Sequence, residues 1–301
     1  MSTADDKPVI IEQDPPAGAV IAAVDGSELD ALVLTAAAAE ALRRGSPLHV
    51  RHCREAIDAG LAFGTAGAWV GADIPDDSAD VLRVALETLA TLDASLTVTA
   101  DRPAGRPENL LVQASENASL IVVGTGRKSR LEEFLLGAVA LNVAAHAACP
   151  VLVVPPGSDP DGSGDVVVGV DGSAHSRAAL AEGIRVARGR AATLVVVTTW
   201  SVEVVNGYVV TEPDSEEWRA VEERIAAMQQ DLLDDLDTDG VTVEQRSVKG
   251  GIRSTLADFS RGAAVVVVGN RGRGGFRAKA LGSVTLDLLK RSTAPVLVVH
   301  D

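Results

Sequence analysis

The chain has 301 residues, a formal net charge of −15 and a pI near 4.7. So acidic a balance argues against nucleic acid or an anionic membrane as the main partner, and no apolar run approaches the ~18 residues that span a bilayer. Its length suits two domains of about 150 residues each, and with no secretory leader and only Cys53 and Cys149, far apart, the expectation is a cytoplasmic protein with reduced thiols.

Residues 1–17 are polar and proline-bearing and read as a flexible tail. The run AVIAAVDGS, Ala19 to Ser27, then reads as a buried strand ending in Asp25, Gly26 and Ser27. Helices are predicted over Asp30–Arg44, Asp80–Asp93, Glu108–Asn117 and Ala138–Ala147, separated by runs rich in Val, Ile and Leu. The string PPGSDPDGSG gives a linker at 156–164 by composition. DVVVGVDGS, Asp165 to Ser173, repeats the opening strand, and helices are predicted over Ser176–Arg188, Ser215–Leu236, Ile252–Arg261 and Ser283–Arg291.

Asp25 and Asp171 stand 146 positions apart, while Gly124 and Gly269, Gly137 and Gly282, and the two PVLVV strings at Pro150 and Pro295 stand 145 apart. One unit has therefore been duplicated, giving domains at 18–155 and 165–301. Strands alternating with helices, the strands apolar throughout, predict a doubly wound parallel α/β sheet in each copy. Ligands of such sheets lie beyond the carboxyl ends of the strands. Pro150–Val154 and Pro295–Val299 each close a domain with a short apolar strand, and exposed apolar edges invite pairing, so the two halves are expected to pack through them.

The second copy carries GNRGRGGFRAKALGS, Gly269 to Ser283, between an apolar strand and a helix. Gly269 and Gly272 lack Cβ atoms, which would let a bulky anion approach backbone amides. Gly282, Ser283 and Val284 fall where a helix begins, and first-turn amides favour phosphate; Ser283 is also a candidate cap. Arg271, Arg273, Arg277 and Lys279 face no acid within the loop. The first copy reads GTGRKSRLEEFLLGA from Gly124, with Arg127 at the place of Gly272 and Ala138 at that of Ser283. Its loop charge is +1 against +4.

The spacing G-x-x-G, nine residues, G-S at Gly269, Gly272, Gly282 and Ser283 resembles the ATP-binding signature of the universal stress protein family. The V-D-G-S strand ends, GRPENLL at Gly105 and the terminal PVLVV agree with it, and the resemblance covers both halves. It implies two tandem five-stranded sheets of strand order 3-2-1-4-5, ATP as ligand with Mg²⁺ as its counter-ion, a homodimer, and a regulatory role in stress through a protein partner not readable here. Residue by residue it implies Asp171 facing the adenosine, Thr199 presenting backbone to the adenine, Gly250 beside the nucleotide, and Gly269, Arg271, Gly272, Gly282, Ser283 and Val284 at the phosphates. Asp25, Gly124 and Gly137 mark the matching, degenerate site of the first copy.

The loop lacks a Walker lysine and any acid placed as a general base, so binding with at most slow hydrolysis is the expectation. A nucleotide-independent dimeric interaction module and a slow ATPase are the alternatives. His49, His52 and Cys53 invite a metal reading, but on a strand His52 faces away from the other two, so ordinary packing is the expectation. Asp234–Asp235 and Glu222–Glu223 read as the solvated face of a long helix.

Overall fold

A computed structural model describes residues 14–54, 78–92, 96–126, 136–200, 204–205, 208–209, 215–272 and 281–301. In the first half β1 (Val20–Ala23), β2 (Leu48–Arg51), β3 (Val98–Asp101), β4 (Leu120–Gly124) and β5 (Val151–Val154) alternate with α1 (Asp30–Arg44), α2 (Ser78–Leu92), α3 (Pro107–Ala114) and α4 (Ala138–His146). In the second, β6 (Val166–Gly169), β7 (Leu194–Trp200), β10 (Val243–Lys249), β11 (Val265–Gly269) and β12 (Val296–Val299) alternate with α5 (Ala174–Arg190), α6 (Glu216–Asp234), α7 (Ile252–Phe259) and α8 (Ser283–Arg291). A small antiparallel pair, β8 (Val204–Val205) and β9 (Tyr208–Val209), has no counterpart in the sequence reading.

Each half has the order 3-2-1-4-5, and the two are fused into one ten-stranded sheet, β10-β7-β6-β11-β12-β5-β4-β1-β2-β3. The join is the antiparallel pair β5–β12, with Leu152 opposite Leu297, as the two PVLVV strings led one to expect. Every other pairing within this sheet is parallel. Consequently the terminal strand edges are consumed within the chain, and the sheet's outer strands are β3 and β10.

Parallel strands covered on both faces need apolar side chains on both, and two packed layers result. Val33, Leu34, Leu82, Leu180, Leu194 and Leu232 fill one beneath α1, α2, α5 and α6. Ile21, Ile121, Val143, Leu256, Val266 and Leu288 fill the other beneath α3, α4, α7 and α8.

The halves also meet through charge. Glu40 of α1 is buried, with Arg43 Nη1 at 3.1 Å, Arg44 Nε at 3.4 Å and Arg190 Nη2, from the second half, at 3.3 Å. Arg44 also reaches Glu182 across the seam at 2.7 Å. The segment between the domains packs on this seam: Arg190 Nη2 donates to Pro160 O at 3.1 Å, and Arg43 pairs with Asp161.

Candidate functional site

In both halves the first strand ends in the same turn. Asp171 Oδ1 accepts the N–H of Ser173 at 3.0 Å, and Asp25 Oδ1 accepts that of Ser27 at 3.0 Å. The glycines between them take φ of +81° and +80°, the left-handed region that glycine adopts freely. Ser173 then caps α5 by accepting the Ser176 N–H at 3.2 Å.

The glycine loop of the second half returns to this turn. A Cβ on Gly272 would lie 2.6 Å from Asp171 Oδ2, so the loop rests on that carboxylate and a larger residue there would have to displace it. The loop is also tied shut at its base. Asn270 N–H donates to Val299 O at 2.8 Å, Gly282 N–H donates to Asn270 O at 2.8 Å, and the buried Thr285 hydroxyl donates to Gly269 O at 2.8 Å.

Those bonds correct three roles expected from sequence. The Cβ space of Gly269 is filled by His175, with Cβ and carbonyl oxygen both at 2.9 Å, so this glycine lets α5 approach the sheet rather than admitting an anion. The Gly282 amide is spent on Asn270 and is no phosphate donor. The N-cap of α8 is Gly282, with extended φ of −60° and ψ of 146° and no side-chain cap bond; Ser283 is the first helical residue and does not cap. What remains at that end is the exposed Ser283, Val284 and the first-turn amides of α8, which have no intrahelical partner and are aligned with the helix dipole.

Thr199 lies near the carboxyl end of β7, paired with Val248 of β10. Gly250 follows β10 with φ of +154°, and its N–H donates to Trp200 O at 2.9 Å. Arg271 is part-buried beside His300, whose Nε2–H donates to Ala144 O of α4 at 3.0 Å. Burial holds the His300 imidazole below its ordinary pKa. The expected cations Arg273, Arg277 and Lys279, and Arg127, Lys128, Arg130, Glu132 and Glu133 of the other loop, lie outside the described residues.

Sequence reasoning missed Asn270, Thr285 and His175. The 145-residue offset held a signal for one of them: Thr285 corresponds to Ala140, so the loop-closing hydroxyl belongs to the second half alone.

In the first half Gly124 approaches Leu29, whose Cδ1 would stand 3.2 Å from a Cβ there, and Gly137 N–H closes the loop on Thr125 O at 2.6 Å. Asp25, Gly124 and Gly137 all line one cavity of about 550 Å³ at the carboxyl ends of β1, β2 and β4. His49 sits fully buried, with Nδ1 at 2.8 Å from Thr99 Oγ1 and Nε2 at 3.0 Å from Asp101 Oδ1, while His52 Nδ1–H donates to Val24 O at 2.9 Å. The two rings serve separate partners, and among the described residues no group of three His, Cys, Asp or Glu side chains is placed to hold a metal. Both cysteines are free, and burial pushes the Cys53 and Cys149 thiols up to about 11, away from thiolate chemistry.

The family model for the universal stress protein family matches residues 18–155 and again 163–300. The chain belongs to the universal stress protein family. A universal stress protein of Mycobacterium tuberculosis is 31% identical over 297 residues, covering 94% of this chain and 97% of its own. Among solved structures, a universal stress protein from Archaeoglobus fulgidus superposes with a TM-score of 0.64 at 22% identity, over 94% of this chain and 96% of its own. A functionally unknown protein from Pseudomonas aeruginosa gives a TM-score of 0.66 at 17% identity, over 94% and 92%. These likenesses show the tandem fold. No helix among the described residues is long and apolar enough to cross a membrane.

Proposed function

We propose that this universal stress protein binds an adenine nucleotide, ATP, in its second half and acts as a nucleotide-dependent regulatory protein in the cytoplasm. The observation that carries the reading is the seating of Gly272 on Asp171, 2.6 Å from where a Cβ would stand, beside the open first turn of α8. Phosphates would rest on the amides of Ser283 and Val284 and on the Ser283 hydroxyl, with Arg271 adding charge. Asp171 would meet the adenosine, and Thr199 and Gly250 would border the base. Magnesium would arrive with the triphosphate, since Mg²⁺ is held by phosphates and one or two carboxylates, and Asp171 is the carboxylate at hand.

No described acid stands over the first turn of α8 as a base, so turnover far below ~1 s⁻¹, the low end for enzymes, is expected. Mass analysis of small molecules released from freshly purified, heat-denatured protein tests the reading. Recovery of ATP or ADP supports it; protein that carries none, and that shows no heat on titration with ATP, overturns it. Because β5 and β12 pair within the chain, a homodimer would have to use another surface than these strands.

A further inference from the structure

The fused sheet consumes β5 and β12, so its open edges are the outer strands β3 and β10. They present different things to a neighbour. β3 is four residues long, half of it is buried, and its Asp101 is spent on Arg51 and His49. β10 is seven residues long, and Glu244, Gln245 and Arg246 along it are all exposed. A long exposed edge is a template for a further strand, and the charges on it decide which strand is admitted.

The pairing with β7 fixes which backbone groups of β10 stay open. Thr242 O accepts the Leu194 N–H at 2.8 Å, and the Gly250 N–H donates to Trp200 O at 2.9 Å. The even-numbered residues therefore turn their backbone to β7, and by alternation Val243, Gln245, Ser247 and Lys249 turn N–H and C=O outward. Glu244 and Arg246 lie opposite Val195 and Val197 on the α7 face, where they line a cavity of about 390 Å³ with Asp258 and Phe259. Gln245 takes the other face, its Nε2 donating to Gln230 Oε1 of α6 at 3.0 Å.

A second copy can meet this edge about a two-fold axis perpendicular to the sheet, which keeps like faces on the same side. An axis through Gln245 sets Gln245 opposite itself and Val243 opposite Ser247, all residues whose backbone turns outward, so these become the hydrogen-bonded pairs. Between them Glu244 stands opposite Arg246 of the second copy, and the reverse, at the positions where cross-strand side chains come closest. An axis through Glu244 or Arg246 would bring like charges together, and one through Ser247 would pair neither charge with its opposite. Charge thus selects a single register. Within one chain Arg246 Nη2 already reaches Glu244 Oε2 at 2.6 Å, and in the pair each of these charges gains a second opposite neighbour.

We propose that the β10 edge is a self-association surface, to which a second copy of this chain adds its own β10 antiparallel, centred on Gln245, so that the sheet continues through both molecules. Main-chain bonds supply the affinity of such strand addition and the Glu244–Arg246 pairs supply its register. The inference draws nothing from the nucleotide reading, and its test contains no nucleotide.

The measurement is sedimentation equilibrium of the full-length protein up to about 0.1 mM, with the folding of each variant checked by thermal melts. Wild type should show a reversible monomer–dimer equilibrium. Gln245→Pro removes an outward N–H that β7 does not use, so the fold should stand while the dimer weakens at least tenfold. Should that variant fail to fold, the charge variants, at exposed positions, decide by themselves. Arg246→Glu and Glu244→Arg each set like charges across the axis, and each should weaken the dimer at least tenfold. Mixed together, they oppose an acidic edge to a basic one and should associate at least tenfold more tightly than either variant alone. That readout is blind to the in-strand pair of Arg246 with Glu244, which both variants have lost. A wild type that stays monomeric over this range overturns the proposal and leaves the edge to a strand from another protein. A dimer indifferent to Gln245→Pro, or a mixture no tighter than its components, overturns it as well.

Discussion

The two halves share a fold and an ancestry, yet their corresponding positions solve different problems. At the end of the first strand, Asp171 supports a glycine loop closed by Thr285, whereas Asp25 stands beside Asp30 over an open cavity and Thr285 has become Ala140. At the seam, Glu40 of the first half is an ion-paired carboxylate, while its counterpart at the offset of 146 is the buried Val186. In the core, Ala22 and Ala37 of the first half correspond to Val168 and Gly183 of the second, with bulk moved from helix to strand. Duplication preserved the backbone and left side chains free to diverge wherever a neighbour changed with them.

Substitutions at these positions test how far this goes. The largest effect is expected from Glu40→Ala, which leaves the buried Arg190 without its carboxylate and should cost about 3–5 kcal/mol in chemical denaturation. A loss under ~1 kcal/mol would mean that the seam is held by β5–β12 alone. Next, Gly272→Glu should lower ATP affinity at least a hundredfold, about 2.7 kcal/mol, through bulk and repulsion against Asp171; full-strength binding by calorimetry would assign the site to the wrong half.

Gly183→Ala installs the residue of the first half, but its Cβ would collide with Val168 Cγ2. A loss of about 1–3 kcal/mol is expected from overpacking, recovered in part by adding Val168→Ala. Strict additivity of the two changes in denaturant melts would refute the compensating pair.

Asp30 supplies a pH-dependent contrast. Burial pushes its carboxyl up to about 6 from an ordinary 3.8, outweighing the Asp25 and Gly26 amides that lower it. The folded state therefore binds the proton more tightly, and the stability that protonation confers, complete below pH ~4, is lost as pH rises through ~6. Asp30→Ser should remove that slope, worth about 1–2 kcal/mol after allowance for the group's partial exposure. Parallel pH profiles of wild type and variant would contradict it. The smallest effect belongs to Ser283→Ala: since Ser283 does not cap α8, stability should stay within ~0.5 kcal/mol while ATP affinity falls about tenfold. A clear drop in stability would restore the capping role.

By itself the sequence determined the duplication, the alternating elements, the strand ends at Asp25 and Asp171, and the pairing of the two PVLVV edges. These depend on local periodicity and on spacing, which a chain displays directly. It also located the loop from Gly269 to Ser283, but it assigned the glycines a common purpose that they do not share. Only the tertiary structure decided that Gly269 makes room for His175, that the Gly282 amide is spent on Asn270, and that Gly272 is the glycine of the three that meets Asp171. The reason is that an absent Cβ records a close approach without naming what approaches. Contacts between residues about 100 apart, such as Gly272 with Asp171, or 150 apart, such as Glu40 with Arg190, leave no periodic trace. The cavity of the first half was hidden for the same cause: its lining residues come from the ends of separate strands and from the first turn of α1, and only folding brings them together.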